Sequence, residues 1–215
     1  KSSTSGRGAL LLYDGQTNFS RVATFPYRTN SMGTMAAGQY LVGTYSDENM
    51  RSGVWIHDTQ GAGLVNAVNI DEYGDVQPFM AYDGGKHLYL RTRFLLDKNH
   101  NQGYILKLNL ETLDIQVLDD LFAPFGRYLK GQITQLSSSK LFFYTSYGGG
   151  SPTFRKYGNQ GPTFLTYDLQ TKKVEENFRA NSYGQDGVLV ESAVKAKDGN
   201  FYFIPALPRN SIGSD

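Results

Sequence analysis

Three triplets in this sequence place an aromatic ring, a glycine and a polar side chain in a row: Tyr73–Gly74–Asp75, Phe125–Gly126–Arg127 and Tyr183–Gly184–Gln185. Tyr27–Arg28 repeats the pairing without the glycine, and Tyr128 adds a second ring beside Arg127. Aromatic faces stack on the C–H faces of sugars, while planar amide, carboxylate and guanidinium groups satisfy sugar hydroxyls. These residues are therefore the candidate ligand-binding set. Arg155 and Tyr157 join them from the glycine- and proline-rich stretch Ser146–Pro162, which reads as a lid, a gripping arm or a plain surface excursion. The same aromatics would also serve as wedges between packed elements, with each glycine simply permitting a turn.

Acid–base chemistry is less well marked. Hydrolysis by paired carboxylates needs two Asp or Glu residues at a defined separation. Asp47, Glu48, Asp71, Glu72, Asp75, Asp97, Asp120, Asp186 and Glu191 all qualify by type, and no spacing singles out a pair. Glu191, between Val190 and Ser192, is the carboxylate best placed for a raised pKa if it points into an enclosed channel. Asp75 and Asp186 are the next candidates. Arg28, Arg91, Arg93, Arg127, Arg155 and Arg179 offer cations for an anionic ligand, at positions ordinary for arginine. His57, His87 and His100 are scattered without metal-ligand spacing, so no metal or other cofactor is expected. An oxygen-ligated Ca²⁺ or Na⁺ in a central channel has no residue pattern behind it. Gly148–Gly150 lacks the lysine–serine pair and following helix of a phosphate loop.

The elements that must hold these residues are strands, and they repeat. LLLYDGQT, VWIHDTQG, ILKLNLET and LTYDLQT each run apolar, then Asp or Asn, then any residue, then Gln or Glu. The key residues Asp14, Asp58, Asn109 and Asp168 stand 44, 51 and 59 apart, a period typical of bladed architectures. The Asp or Asn side chain can bond the backbone two residues on and so turn the chain. A second repeat interleaves: the strand-like runs QYLVGTY, HLYLRTRF, KLFFYTSY and NFYFI begin on Tyr40, Leu88, Leu141 and Phe201, spaced 48, 53 and 60 apart. Each follows a tight turn and another short strand, and Pro78 is expected to open its strand or lie at an edge.

The unit is four consecutive antiparallel strands. Three units are complete, over about 34–70, 78–118 and 133–178. A lone third-and-fourth pair opens the chain (9–25) and a lone first-and-second pair closes it (188–207). On these repeats the chain resembles the β-propeller family. The resemblance implies an all-β single domain over 1–215, with 1–8 and 210–215 as tails. It further implies four blades, the fourth built from the N- and C-terminal strands, or else part of a larger ring. It also implies two unlike rims, one of short stereotyped turns and one of long irregular loops that carries the triplets. Sialidases are propellers too, but their Ser-x-Asp-x-Gly-x-Thr-Trp box is missing and Trp55 precedes its turn.

Composition agrees with an all-β chain: 24 glycines and 28 Tyr plus Phe in 215 residues. A net charge of +1 gives no field for nucleic acid or an anionic membrane surface. No apolar run is long enough to span a bilayer as a helix. The absence of cysteine excludes disulfides and thiol catalysis. Lys1 in place of Met marks a processing site or the cut edge of a longer chain, so a larger chain or oligomer is in view. The expected function is a binding module, outside the cell or on a virion surface such as a tail fibre, that recognises a glycan or other cell-surface receptor. A carbohydrate lyase or hydrolase and a protein-interaction scaffold are the alternatives.

Overall fold

The computed structural model describes residues 9–13, 15–24, 30–46, 51–61, 63–93, 104–120, 133–145, 163–179 and 189–206. Sixteen strands account for nearly all of them. Three four-stranded antiparallel sheets follow one another. The first is β3 (Asn30–Ala37), β4 (Tyr40–Ser46), β5 (Ser52–Asp58) and β6 (Gly63–Asn69). The second is β7 (Asp75–Tyr82), β8 (His87–Arg93), β9 (Tyr104–Asn109) and β10 (Ile115–Asp120). The third is β11 (Ile133–Ser137), β12 (Lys140–Thr145), β13 (Thr163–Asp168) and β14 (Val174–Arg179). In each, the strands lie side by side in chain order, as short hairpin turns require.

The register repeats as the sequence does. The first residue of each second strand lies opposite the turn Asp or Asn: Tyr40 opposite Asp58, His87 opposite Asn109, Lys140 opposite Asp168. The ladder between second and third strands is unbroken in all three sheets. The flanking ladders each carry an irregularity, which increases local twist.

The core lies between successive sheets. Side chains alternate across a strand, so Leu88, Leu90, Leu106 and Leu108 of the second sheet pack on Ala37, Val42, Val54 and Ile56 of the first. Their neighbours Tyr89 and Ile105 face the other way, onto Ile133, Leu141, Leu165 and Tyr167 of the third. The middle sheet thus contributes buried side chains to the cores on both of its faces. Each of its fully buried leucines stabilises the fold by about 1.5–3 kcal/mol relative to exposure.

The first strands form the inner row: β3 touches β7, β7 touches β11 and β11 touches β15 (Leu189–Lys195). The closest approach needs a glycine. A Cβ on Gly33 would sit far inside the contact distance of the Pro78 carbonyl oxygen. Pro78 takes the second of its two expected places, an edge strand, and does not open it. It lies within β7, in the irregular stretch between Val76 and Met80, on an edge strand where its missing N–H breaks no ladder bond.

The expectation of a fourth complete sheet meets a different arrangement. β1 (Ala9–Tyr13) pairs only with β2 (Phe19–Thr24), and β15 only with β16 (Phe201–Ala206), as two separate two-stranded sheets. Among the described strands no sheet closes into a barrel.

Candidate functional site

The two rims are built by different physics. On the short-turn rim, Asp168 Oδ1 accepts from the N–H groups of Gln170 (2.9 Å) and Thr171 (2.8 Å). Asn109 Oδ1 accepts from Glu111 (2.9 Å) and Thr112 (3.2 Å). Asp58 Oδ1 accepts from Gln60 at 2.9 Å. These are the repeated motif's turns, formed as expected. The Thr171 N–H above all, then the Gln170 N–H, the Thr171 side chain and the charge of Lys140, hold the Asp168 carboxyl below the usual range, against an opposing desolvation. Asp83, in the turn before β8, is pushed up by burial. The N–H groups of His87 and Gly85 and the His87 ring, 2.8 Å away, outweigh this and leave it lowered.

On the long-loop rim, the described crossing is Ile70–Gly74, between the first and second sheets. A single 3₁₀ turn, Asp71–Tyr73, carries it, and Gly74 at φ 95° takes the left-handed bend that follows. Asp71 Oδ1 accepts a short hydrogen bond from the Ser52 N–H, and its Oδ2 accepts from Asn69 Nδ2 at 2.9 Å. The Ser52 hydroxyl in turn accepts from the buried Val76 N–H at 2.7 Å. Ser52, Asn69 and Asp71 thus lock β5, β6 and β7 together. Sequence reasoning counted Asp71 among free carboxylates, but both its oxygens are engaged in this joint.

Tyr73, the aromatic of the first triplet, is half-buried. Its ring packs edge-on against Tyr104, centroids 6.3 Å apart, and against the core between the first two sheets. The wedge role therefore holds for its ring. Its hydroxyl bonds the exposed Glu72, and that bond, then burial, then the Glu72 charge push the phenol above its usual range. A phenol so held is a hydrogen-bond donor at neutral pH, not a base.

Asp75 is the first residue of β7, opposite Arg93, so the first triplet runs from the crossing into an inner strand. Glu191 is the third residue of β15, near the strand's start as expected, at the irregularity between Val190 and Ala193. Arg91, counted above as a cation for an anionic ligand, is instead a fully buried side chain of β8. Tyr27, Arg28, Arg127, Tyr128, Arg155, Tyr157, Tyr183, Gln185 and Asp186 lie outside the described residues. Among the described residues no group of His, Asp and Glu could hold a metal ion, and no helix is long and apolar enough to cross a membrane.

With this geometry in view, solved structures place the fold among β-propeller proteins. TolB from Acinetobacter baumannii matches at 12% identity over 92% of this chain and 42% of that one, with a TM-score of 0.57. Oligogalacturonate lyase from Vibrio parahaemolyticus matches at 15% identity over 96% of this chain and 55% of that one, TM-score 0.55. An acylaminoacyl peptidase from Pyrococcus horikoshii matches at 12% identity over 79% and 29%, TM-score 0.51. The chain covers about half or less of the length of these proteins, and at such identity the likeness is one of fold. No family model and no curated protein matches the sequence.

Proposed function

We propose that this chain is a non-enzymatic binding module, displayed outside the cell or on a virion surface, that recognises a glycan or other cell-surface receptor through its long-loop rim. In the same reading its fourth blade is completed by the N- and C-terminal strands, β15–β16 with β1–β2. The observation that carries the binding role is the contrast between rims. One is spent on tight turns that close on their own backbone. The other carries, in the sequence, an aromatic and a polar residue ahead of each inner strand, of which Tyr73 and Asp75 lie among the described residues, on a scaffold of paired strands. The oligogalacturonate lyase likeness extends to fold and brings no site residues with it.

The test is a glycan array probed with the chain and with the triple variant Tyr73→Phe, Arg127→Ala, Tyr183→Ala. Tyr73→Phe keeps the wedge and removes only the hydroxyl. Binding should fall at least about tenfold, roughly 1.4 kcal/mol, with the melting temperature nearly unchanged. Undiminished binding by the variant would overturn the site. New reducing ends or ultraviolet-absorbing unsaturated ends from polysaccharides incubated with the chain would show an enzyme instead.

A further inference from the structure

The two half-sheets are complementary parts of one blade. β1–β2 is a third-and-fourth-strand pair joined at the Asp14 turn, and β15–β16 is a first-and-second-strand pair. They sit at opposite ends of the row of sheets, β2 against β6 and β15 against β11, and among the described residues no ladder joins β16 to β1.

Their exposed side chains show what is missing. Leu11 is 54% exposed and Tyr13 49%. The residues at the same distance before the turn in the complete sheets are Trp55, Leu106 and Leu165 for Leu11, and His57, Leu108 and Tyr167 for Tyr13. All six are buried. On β16, Tyr202 is 57% exposed, whereas Val42 and Tyr89 at its position in the first two sheets are buried. Among the described residues, the exposed large apolar side chains are Leu11, Tyr13, Phe19, Tyr202 and Val117, so all but Val117 belong to the half-sheets. Tyr13 and Phe19 stack at 4.9 Å, which makes the patch on β1–β2 continuous. An apolar face next to an unpaired strand edge is a surface that proteins cover.

We propose that the cover is a second copy of this chain: β15–β16 of one copy pairs with β1–β2 of the next, forming a composite blade. This rests on the reading above that the terminal strands complete a fourth blade, and it assigns the two halves to different copies. The occupant follows from topology, because an edge of the β1 kind is completed by a first-and-second-strand pair, and this chain carries one. The complete sheets dictate the register. There the residue that closes the turn between the first and second strands (Tyr40, His87, Lys140) lies opposite the turn Asp or Asn, and Asn200 holds that place, its carbonyl accepting from the Ala196 N–H as that of His87 accepts from Asp83. Asn200 would therefore lie opposite Asp14, Phe201 opposite Tyr13 and Phe203 opposite Leu11. The contact is head to tail, so it must close on itself or polymerise. Closure at two copies gives a ring with both composite blades filled.

The chain has no cysteine, so introduced thiols report the pairing directly. Leu11→Cys and Phe203→Cys are made in separate preparations, unfolded together, refolded and oxidised. A disulfide-linked species at twice 23.9 kDa should form from the mixture and not from either variant alone. In the double variant, a disulfide that leaves the mass at one chain would overturn the proposal in favour of closure within one copy. Sedimentation of the unaltered chain should give a dimer, and a monomer at tens of micromolar would sink the idea. Leu11→Lys and Tyr202→Lys should each break that dimer, while mixing the two restores one junction and a heterodimer. A failed glycan array leaves all these masses untouched, so the two readings fail separately.

Discussion

Asp71 and Asp168 are the same residue type used for opposite purposes. Asp168 folds the chain on itself: its acceptors serve N–H groups two and three residues on, and the bonds would form in any copy of the motif. Asp71 reaches a backbone N–H 19 residues back, on a different strand, while Ser52 carries the connection onward into the next sheet. The first makes a turn and the second makes a joint between blades. The comparison teaches where stability resides. A turn at the surface is easily replaced by water, whereas the joint satisfies backbone groups that water cannot reach.

The largest effect should come from breaking the joint. Asp71→Ala leaves the buried Ser52 N–H without its charged acceptor and frees Asn69. This should cost about 2–3 kcal/mol, and so lower the melting temperature by about 5–10 °C for a chain of this size. Ser52→Ala strands the Val76 N–H and should cost about 1–3 kcal/mol. Because the two share one network, the double variant should lose less than the sum. Calorimetry on the three variants and on Asp168→Ala checks the order. Equal losses at Asp71 and Asp168 would erase the distinction between turn and joint.

A smaller effect separates two positions within the turn rim. Leu113 and Lys172 hold the same place, four residues after the turn Asn or Asp, and both have positive φ, 65° and 56°. Left-handed backbone strains any residue with a Cβ. Lys172 is exposed, so Lys172→Gly should stabilise by about 0.5–1 kcal/mol. Leu113 also packs against the core between the first two sheets, so Leu113→Gly should instead destabilise by about 1–2 kcal/mol. Urea midpoints of the two variants should move in opposite directions.

This contrast also explains what was readable beforehand. The strands of all three complete sheets, their order and the turns at Asp58, Asn109 and Asp168 were legible because each depends on residues close in sequence. The edge placement of Pro78 was legible too, but its position inside β7 was not, because that depends on an irregular ladder and on Gly33 from another blade. Arg91 was read by type as a cation for a loop, and its strand position buries it. The Ser52–Asn69–Asp71 joint left only a faint trace, an Asn-x-Asp spacing after an apolar strand. The wedge role of the Tyr73 ring was one of two readings that residue type alone allowed. Its contact with Tyr104 gives the ring a packing role.

The smallest effect is a pH dependence that belongs to the turn and not to the joint. Thr171 and Gln170 N–H groups favour the charged form of Asp168, so its pKa in the folded chain lies below the ordinary 3.8. The unfolded chain then binds the proton first as pH falls. The carboxylate's contribution to stability is therefore complete above about pH 5. It declines below about pH 4 and is gone once the folded carboxyl itself is protonated. Asn109 makes the same turn without a charge, so Asp168→Asn should keep the fold and remove this share of the acid sensitivity. Urea midpoints measured from pH 6 down to pH 2 should show the gap between the unaltered chain and Asp168→Asn shrinking toward acid. A gap independent of pH would mean that the turn is held by its shape alone, with no part played by the charge.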